Sequence, residues 1–427
     1  MNWIEDFVHQ HKEFESPLSF WKWAALCSIS AVVKDNVWMN HGGFMNTYPN
    51  IYVMLHADSG LKKSAPVNVA KRLVQIVDNT RVISGRSSIQ GIMKAMSTAK
   101  SLPGKPILKT ACAFICSSEL SASIVEDPQA MTILTDLYDR NYNAADYGSL
   151  LKQEEFNLHK PTVTMFSATN ESHANEFFSQ KEIGGGFFAR TFIVFESEEN
   201  RINSLTSAYT TEIDYNKIAE YLKTLAQLSG PFLPLSKKEP DEKYHIPIAD
   251  PQTKHTSYYT EATATYDRWY YNFRAEAKGV RDSTGTLNRM GTSVLKVAML
   301  LSLGIKPELE LQLPAVEEAI EICTKLVGNV RKITLGRGTQ QDTSGGQRKI
   351  LLLRELLERE NHSITRAMLH KKYWLQGSVS EWDDAVVSAK EAGLIEIVNT
   401  GNTLVYEMQE ERVKELKEFL AGKGKSL

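Results

Sequence analysis

Between residue 50 and about residue 330, short apolar runs alternate with stretches whose apolar residues recur every three or four positions. The runs are Ile51–His56 (IYVMLH), Ala111–Cys116 (ACAFIC), Pro161–Ala168 (PTVTMFSA) and Thr191–Glu196 (TFIVFE). Each has the length of one strand and is apolar nearly throughout, the pattern of a strand covered on both faces. Helical periodicity runs through Val67–Val77, Tyr258–Lys278 and Thr286–Leu303. Strands separated by helices predict a mainly parallel sheet with crossover helices, an α/β fold. Residues 230–256, rich in Pro, Lys and Asp, read as a long surface connection.

The flanks read differently. Residues 1–49 form an N-terminal helical segment. Ser16-Pro17 is its start signal, and Phe20, Trp21, Trp23, Ala24 and Leu26 supply a face to pack, either as a cap on the next domain or against a partner. Residues 50–335 are the core domain with its helical extension, and residues 336–346, Gly/Ser/Thr/Gln-rich and without apolar period, form a linker. Residues 347–410 read as helix (Gln347–Arg359), helix (Thr365–Tyr373), helix (Val379–Ala392) and a hairpin (Leu394–Asn399 and Thr403–Glu407), which is the winged-helix order. Residues 411–427 read as a C-terminal helix and a frayed tail.

Composition narrows the class only a little. The 427 residues are 42% hydrophobic and 23% charged, the balance of a globular protein with a sizeable core. A formal net charge of -2 means that any nucleic-acid contact must be a local basic patch. Four cysteines (Cys27, Cys112, Cys116 and Cys323) lack nearby companions for a zinc site and read as reduced, buried thiols, which fits a cytoplasmic location. The N-terminus has no basic stretch leading into an apolar one, and no apolar run reaches the roughly 18 residues that a membrane span needs.

The chemistry concentrates after the first strand. IYVMLH-ADSGLKKS-APVNVAKRLV is strand, loop and helix in the order a phosphate-binding P-loop requires, and the loop is Ala57–Ser64. Backbone N–H groups of Ser59, Gly60, Leu61 and Lys62 would cradle phosphates, Lys63 would reach the β- and γ-phosphates, and Ser64 would hold Mg²⁺. Ala57 and Lys62 stand where the general pattern has glycine, and Lys62 has a Cβ that opposes a left-handed backbone. Read otherwise, this is a basic loop before an ordinary helix.

Three further pieces accompany it. Glu119 follows the ACAFIC strand and Ser117-Ser118, placed to order Mg²⁺ or the attacking water, or else to start a helix behind a serine cap. Asn170 ends the PTVTMFSAT strand, either as a sensor of the γ-phosphate or as a helix N-cap. Arg190, in GGGFFARTFIVFE, is either a finger reaching a neighbouring subunit's ATP or a salt-bridged surface arginine.

Together with ESPLSFWKWAALCSIS, LTDLYD and NRMGTSVLKVAMLLSL, these stretches resemble the helicase-type ATPase domain of phage and mobile-element replication proteins, including the helicase halves of primase–helicases. The resemblance spans about residues 15 to 330. It implies a RecA-like or AAA+-like P-loop ATPase core that binds ATP and Mg²⁺, assembles as a hexameric ring and translocates on single-stranded DNA, with a primase or other replication protein as partner. Carried over by position, Lys63 and Ser64 match the nucleotide loop, Glu119 the acidic strand end and Arg190 the trans-acting arginine. Arg289 matches a basic residue that senses nucleotide, with a solvated helix-start arginine as its plain alternative. The general P-loop pattern is weakened here by Ala57 and Lys62.

A ring motor also needs polar, basic loops facing the DNA. Arg140–Lys152 (RNYNAADYGSLLK) is the candidate, with Arg140, Tyr142, Tyr147 and Lys152 as DNA contacts, and Lys100–Lys109 is a second stretch. An ordinary polar loop is the competing reading. In the C-terminal unit the third helix is acidic (Glu381, Asp383, Asp384, Glu391), so it reads as a protein- or fork-contact module rather than a sequence reader. The function expected is an ATP-dependent DNA helicase. The alternatives are a non-translocating loader or initiator ATPase, and a DNA-bound scaffold with a decayed nucleotide site.

Overall fold

The computed structural model describes residues 2–40, 46–57, 60–85, 87–97, 111–118, 128–139, 147–151, 154–169, 186–203, 212–233, 235–236, 247–249, 256–278, 285–335, 345–359, 361–372, 379–400 and 403–414. The chain divides into two compact units, Met1–Arg331 and Lys332–Leu427.

The first unit is mixed α/β around a five-stranded parallel sheet. Its strands are β1 (Tyr52–His56), β2 (Arg81–Ser84), β3 (Cys112–Ser117), β4 (Thr162–Thr169) and β5 (Thr191–Phe195). They lie in the order β2-β3-β4-β1-β5, all parallel. Four of the five lie within a residue or two of the apolar runs. Period-two alternation sorts their side chains onto two faces. Val53, Leu55, Phe114, Cys116, Phe166, Ala168, Phe192 and Val194 face one core, shared with helices α2 (Leu18–Val33) and α3 (Ser64–Val77). On the other face the Tyr52 hydroxyl donates to the Leu134 carbonyl at 2.9 Å, on helix α4 (Pro128–Asp139). Both faces are therefore covered, which is why the strands read as unbroken apolar runs.

Helix α2 is more deeply placed than a capping helix with one apolar face. Every residue from Phe20 to Val33 except Lys22 is buried. It packs on α3, on helix α1 (Trp3–Gln10), on helix α5 (Tyr215–Leu225) and on β4. A helix that is apolar all round is stable only when enclosed in this way. Its N-terminal residue follows Pro17, whose fixed φ suits a helix entry.

Other elements depart from the sequence expectation. The N-terminal segment holds two short strands, Val37–Asn40 and Asn46–Thr47, and the first pairs in parallel with Gly230–Phe232. Residues 230–256 also contain strands Leu235–Ser236 and Pro247–Ala249; these pair with Thr256–Tyr259. Tyr258 and Tyr259 are thus in a strand, and the helix expected to start there, α6 (Glu261–Glu276), begins after Thr260, whose side chain caps it by accepting from the Thr263 N–H. Helix α7 (Thr286–Ile305) runs two residues past the expected end. Tyr147–Leu151, within the stretch read as a polar loop, is a strand that pairs antiparallel with Glu154–Leu158.

The second unit contains helices α8 (Gly345–Glu358), α9 (Arg366–Lys372) and α10 (Val379–Glu391), followed by a hairpin of Glu396–Thr400 and Thr403–Glu407. A short strand, Ser363–Thr365, pairs with the second hairpin strand and makes a three-stranded antiparallel sheet. Leu352, Leu356, Ile364, Leu369, Trp382 and Tyr406 are among the buried residues of its own core. Among the described residues, no helix is long and apolar enough to cross a membrane, and no cluster of His, Cys, Asp or Glu suits a metal. All four cysteines are buried free thiols.

Candidate functional site

The Ala57–Ser64 loop leaves the C-terminal end of β1 and runs into α3. Strand β1 lies between β4 and β5, while α3 leads to β2 at the far edge of the sheet. The chain reverses direction across the sheet here, and such a point leaves a crevice at the carboxyl ends of the strands. Ala57 and Leu61 are buried, Gly60, Lys62 and Ser64 are exposed, and Asp58 and Ser59 lie outside the described residues.

Two residues of the loop have left-handed backbone, Gly60 at φ 105° and Lys62 at φ 50°. Lys62 adopts this conformation in spite of its Cβ, at a cost of about 1–2 kcal/mol. Its neighbours hold it there. The Lys62 N–H donates to the Gly60 carbonyl at 2.7 Å, and its own carbonyl accepts from the Ala65 N–H at 3.1 Å and from the Ser16 hydroxyl at 2.9 Å. The Lys62 ammonium lies 3.7 Å from Glu15. Ser16 and Glu15 precede α2, so the N-terminal segment props the loop.

Lys63 is the N-cap of α3, and its own side chain makes no capping hydrogen bond. Of the first backbone groups of this helix, Pro66 carries no N–H and the Ala65 N–H is bonded to the Lys62 carbonyl, so an anion here would meet the Ser64 N–H and the partial positive charge of the helix end. The Lys63 ammonium folds back and donates to the Ala57 carbonyl at 2.6 Å, across the mouth of the loop. Ser64 is the first residue of the helix and is exposed.

Strand register places the other candidates relative to this loop. His56 pairs with Thr169, and Ser117 pairs with Ser167. The strands preceding Glu119 and Asn170 therefore end on the same edge of the sheet as the loop. Glu119 and Asn170 themselves lie outside the described residues, as do Arg140, Tyr142 and Lys152 and the Lys100–Lys109 stretch. Tyr147 is the first residue of the strand Tyr147–Leu151.

Arg190 and Arg289 lie elsewhere. Thr191 pairs with Tyr52, so Arg190 stands at the start of β5, on the opposite edge of the sheet from Lys63. The loop begins five residues further along β1, or about 16 Å. Both arginines converge on Asp139, the last residue of α4. Arg190 donates to Asp139 Oδ2 from Nε at 3.1 Å and also from Nη2, and its Nη1 donates to the Gly186 carbonyl at 2.7 Å. Arg289 donates from Nη1 to Oδ1 at 2.9 Å and from Nη2 to Oδ2 at 3.1 Å. Burial alone would raise the Asp139 pKa, but the two guanidinium groups outweigh it and hold the carboxyl below its usual range.

Behind this cluster is a buried ammonium. Lys296, on α7, donates to the Asn50 carbonyl and to Asn50 Oδ1, both at 2.9 Å, and sits 3.7 Å above the Tyr138 ring. Asn50 in turn donates to the Tyr138 and Val163 carbonyls at 3.1 and 3.3 Å. Burial pulls the Lys296 pKa down to about 7; Asp139 acts against that shift, and Arg289 and Arg190 add to it.

The sequence pattern does not single out Asp139, Lys296 or Asn50, and marks Ser16 only as part of a helix start signal. The first lies within the LTDLYD stretch and the second within NRMGTSVLKVAMLLSL, but nothing in either pattern marks them. No protein-family model matches the chain, and a search of curated proteins finds no match either.

Proposed function

We propose that the chain is an ATP-driven helicase-type motor with a RecA-like or AAA+-like P-loop core, hydrolysing ATP between the subunits of a ring to move along single-stranded DNA. The observation that carries this reading is the Ala57–Ser64 loop: a helix N-terminus with Lys63 at its cap, after a left-handed Gly60 and Lys62, at the switch point of a parallel sheet. In the strand order β4 lies between the loop strand and β3, so the strands that lead to Asn170 and Glu119 are neighbours ending on the loop's edge of the sheet, which supports this reading.

In this reading Lys63 exchanges its bond to the Ala57 carbonyl for one to a phosphate oxygen, and the α3 N-terminus takes the remaining negative charge. Ser64 and Glu119 hold Mg²⁺, which screens the phosphate charge when bound. Asn170 senses the γ-phosphate. Arg190, on the far edge, serves the nucleotide of the adjacent copy, with Arg289 beside it. The second unit, three helices followed by a hairpin, supports a winged-helix module, and its paired Arg366 and Asp383 fit a protein or fork contact better than a groove-reading helix.

The test is ATP hydrolysis with and without single-stranded DNA, comparing the natural chain with Lys63→Ala. Turnover stimulated by DNA and lost in the variant supports the motor. Turnover without strand separation points to a loader or initiator ATPase. Absence of turnover in both proteins sinks the ATPase reading and leaves the scaffold.

A further inference from the structure

Helix α6 lies outside the strand-and-loop machinery. It carries Arg268, Trp269, Tyr270, Tyr271, Phe273 and Arg274 in a span of seven positions. The aromatic residues divide between its two sides. Tyr266 is buried, and Trp269, Tyr270 and Phe273 pack against the core of the first unit. Trp269 stacks on Phe273 and Tyr266 on Tyr270, with ring centroids 5.3 and 5.9 Å apart. Tyr271 faces the other way and is 74% exposed, so its ring gains little from folding.

Around Tyr271 the outward face is basic. Arg268, Tyr271 and Ala275 follow each other at helical spacing, and Lys278 continues the line in the turn after the helix. Arg274 flanks the line and reaches Asn288 Oδ1 at 3.4 Å. Of the acidic groups on this helix, Asp267 is half-buried, Glu276 lies on the flank away from Tyr271, and Glu261 is in the first turn. Neither Arg268 nor Lys278 has an ion pair among the described residues.

The helix is also held firmly. A Cβ on Gly291, in α7, would lie 2.6 Å from the Tyr270 ring and 3.1 Å from the Tyr266 hydroxyl, so these two side chains of α6 rest where α7 has no side chain. Gly291 is two residues from Arg289, which binds Asp139.

We propose that the outward face of α6, centred on Tyr271 with Arg268 and Lys278, is a docking surface for single-stranded DNA. An exposed aromatic ring offers a base a stacking partner whatever its sequence, and a cation on either side of it can pair with the phosphates that flank that base. A duplex keeps its bases stacked inside and cannot use the ring. This surface uses residues other than the Arg140–Lys152 candidate, rests on the motor reading and deepens it by giving the track a second contact.

The test is fluorescence anisotropy of a labelled oligothymidylate of about 20 nucleotides, long enough for a site of this kind, with the full chain at several salt concentrations. Tyr271→Ala should weaken binding about tenfold. The double variant Arg268→Glu with Lys278→Glu should weaken it at least as much and reduce the log–log salt slope by about 1.4, at roughly 0.7 per lost contact on a single strand. All three positions are exposed, and near-UV circular dichroism checks that the fold is unchanged. Tyr271→Trp supplies a local reporter whose fluorescence should be quenched as the oligonucleotide binds. Unchanged affinity in the variants, absence of quenching while binding proceeds, equal affinity for a duplex, or no binding by the natural chain would each overturn the proposal. Hydrolysis of ATP without DNA is read separately through Lys63→Ala, so failure of this surface and failure of the motor reading give different results.

Discussion

Lys296 tests whether burial or ion pairing dominates at the arginine cluster, and Lys296→Met is the perturbation. Methionine keeps the length and apolar stem and removes the amine, with its bonds to Asn50 and its place over the Tyr138 ring. The groups facing the amine are Asp139, which favours its charged form, and Arg190 and Arg289, which oppose it; burial is the largest influence, and the folded pKa falls from 10.5 to about 7. The sign follows from proton binding. Between pH 7 and 10.5 the unfolded chain holds a proton on Lys296 that the folded chain has released, so this residue's contribution to stability grows as pH rises and is lost as pH falls toward 7. At about 1.36 kcal/mol per pKa unit the whole window is worth roughly 5 kcal/mol, and the interval from about pH 7.5 to pH 9 roughly 2 kcal/mol. Urea unfolding of both proteins at those two pH values is the assay. The natural chain should gain about 2 kcal/mol more than Lys296→Met over that interval, and the second unit, common to both, cancels in the difference. Equal pH dependence would mean that the folded chain keeps the proton, that Asp139 outweighs desolvation, and that the burial argument fails.

Two further substitutions probe single contacts. Gly304→Ala places a Cβ 2.4 Å from Ile4 Cδ1 and 2.6 Å from Cγ1, where α1 crosses α7, and should cost about 1–3 kcal/mol in urea unfolding, with a smaller loss when Ile4→Ala is present as well. Lys62→Gly keeps the left-handed backbone at lower strain and should retain ATP turnover, in contrast to Lys63→Ala; loss of turnover in the glycine variant would show that the Lys62 amine, rather than the loop conformation, is what the site requires.

What the sequence discloses follows from burial. Strands β1, β3, β4 and β5 are legible because both of their faces are covered, and a short, continuous apolar run is the direct imprint of that burial. Strand β2, RVIS, leaves no such imprint because it is four residues long at the sheet edge and only partly buried beyond Arg81. The pairing of Val37–Asn40 with Gly230–Phe232 joins segments almost two hundred residues apart and leaves no local trace. The Ala57–Ser64 loop is legible as a candidate because its residues lie in one contiguous stretch. The arginine cluster is not, because Asp139 lies 51 residues from Arg190 and 150 from Arg289 in the chain. Such a carboxylate is indistinguishable in sequence from any other helix-end acid until the fold brings its partners to it.

The geometry of the sheet also constrains how the proposed site can be completed. Lys63 and Arg190 sit at opposite ends of neighbouring parallel strands, about 16 Å apart along β1, so a single copy cannot bring both to one phosphate. A head-to-tail interface, as the proposed ring would have, would bring the loop edge of one copy to the arginine edge of the next and complete one site per interface. Complementation follows from this. Lys63→Ala and Arg190→Ala should each abolish turnover alone, yet a mixture of the two should recover it. In an equimolar random ring about a quarter of the interfaces pair an intact loop with an intact arginine, so turnover should reach about a quarter of the natural level. The measurement is ATP hydrolysis across a titration of one variant into the other, after both have been dissociated and allowed to reassemble. A mixture as inactive as its components would place Arg190 outside the composite site and leave its pairing with Asp139 as a purely structural contact.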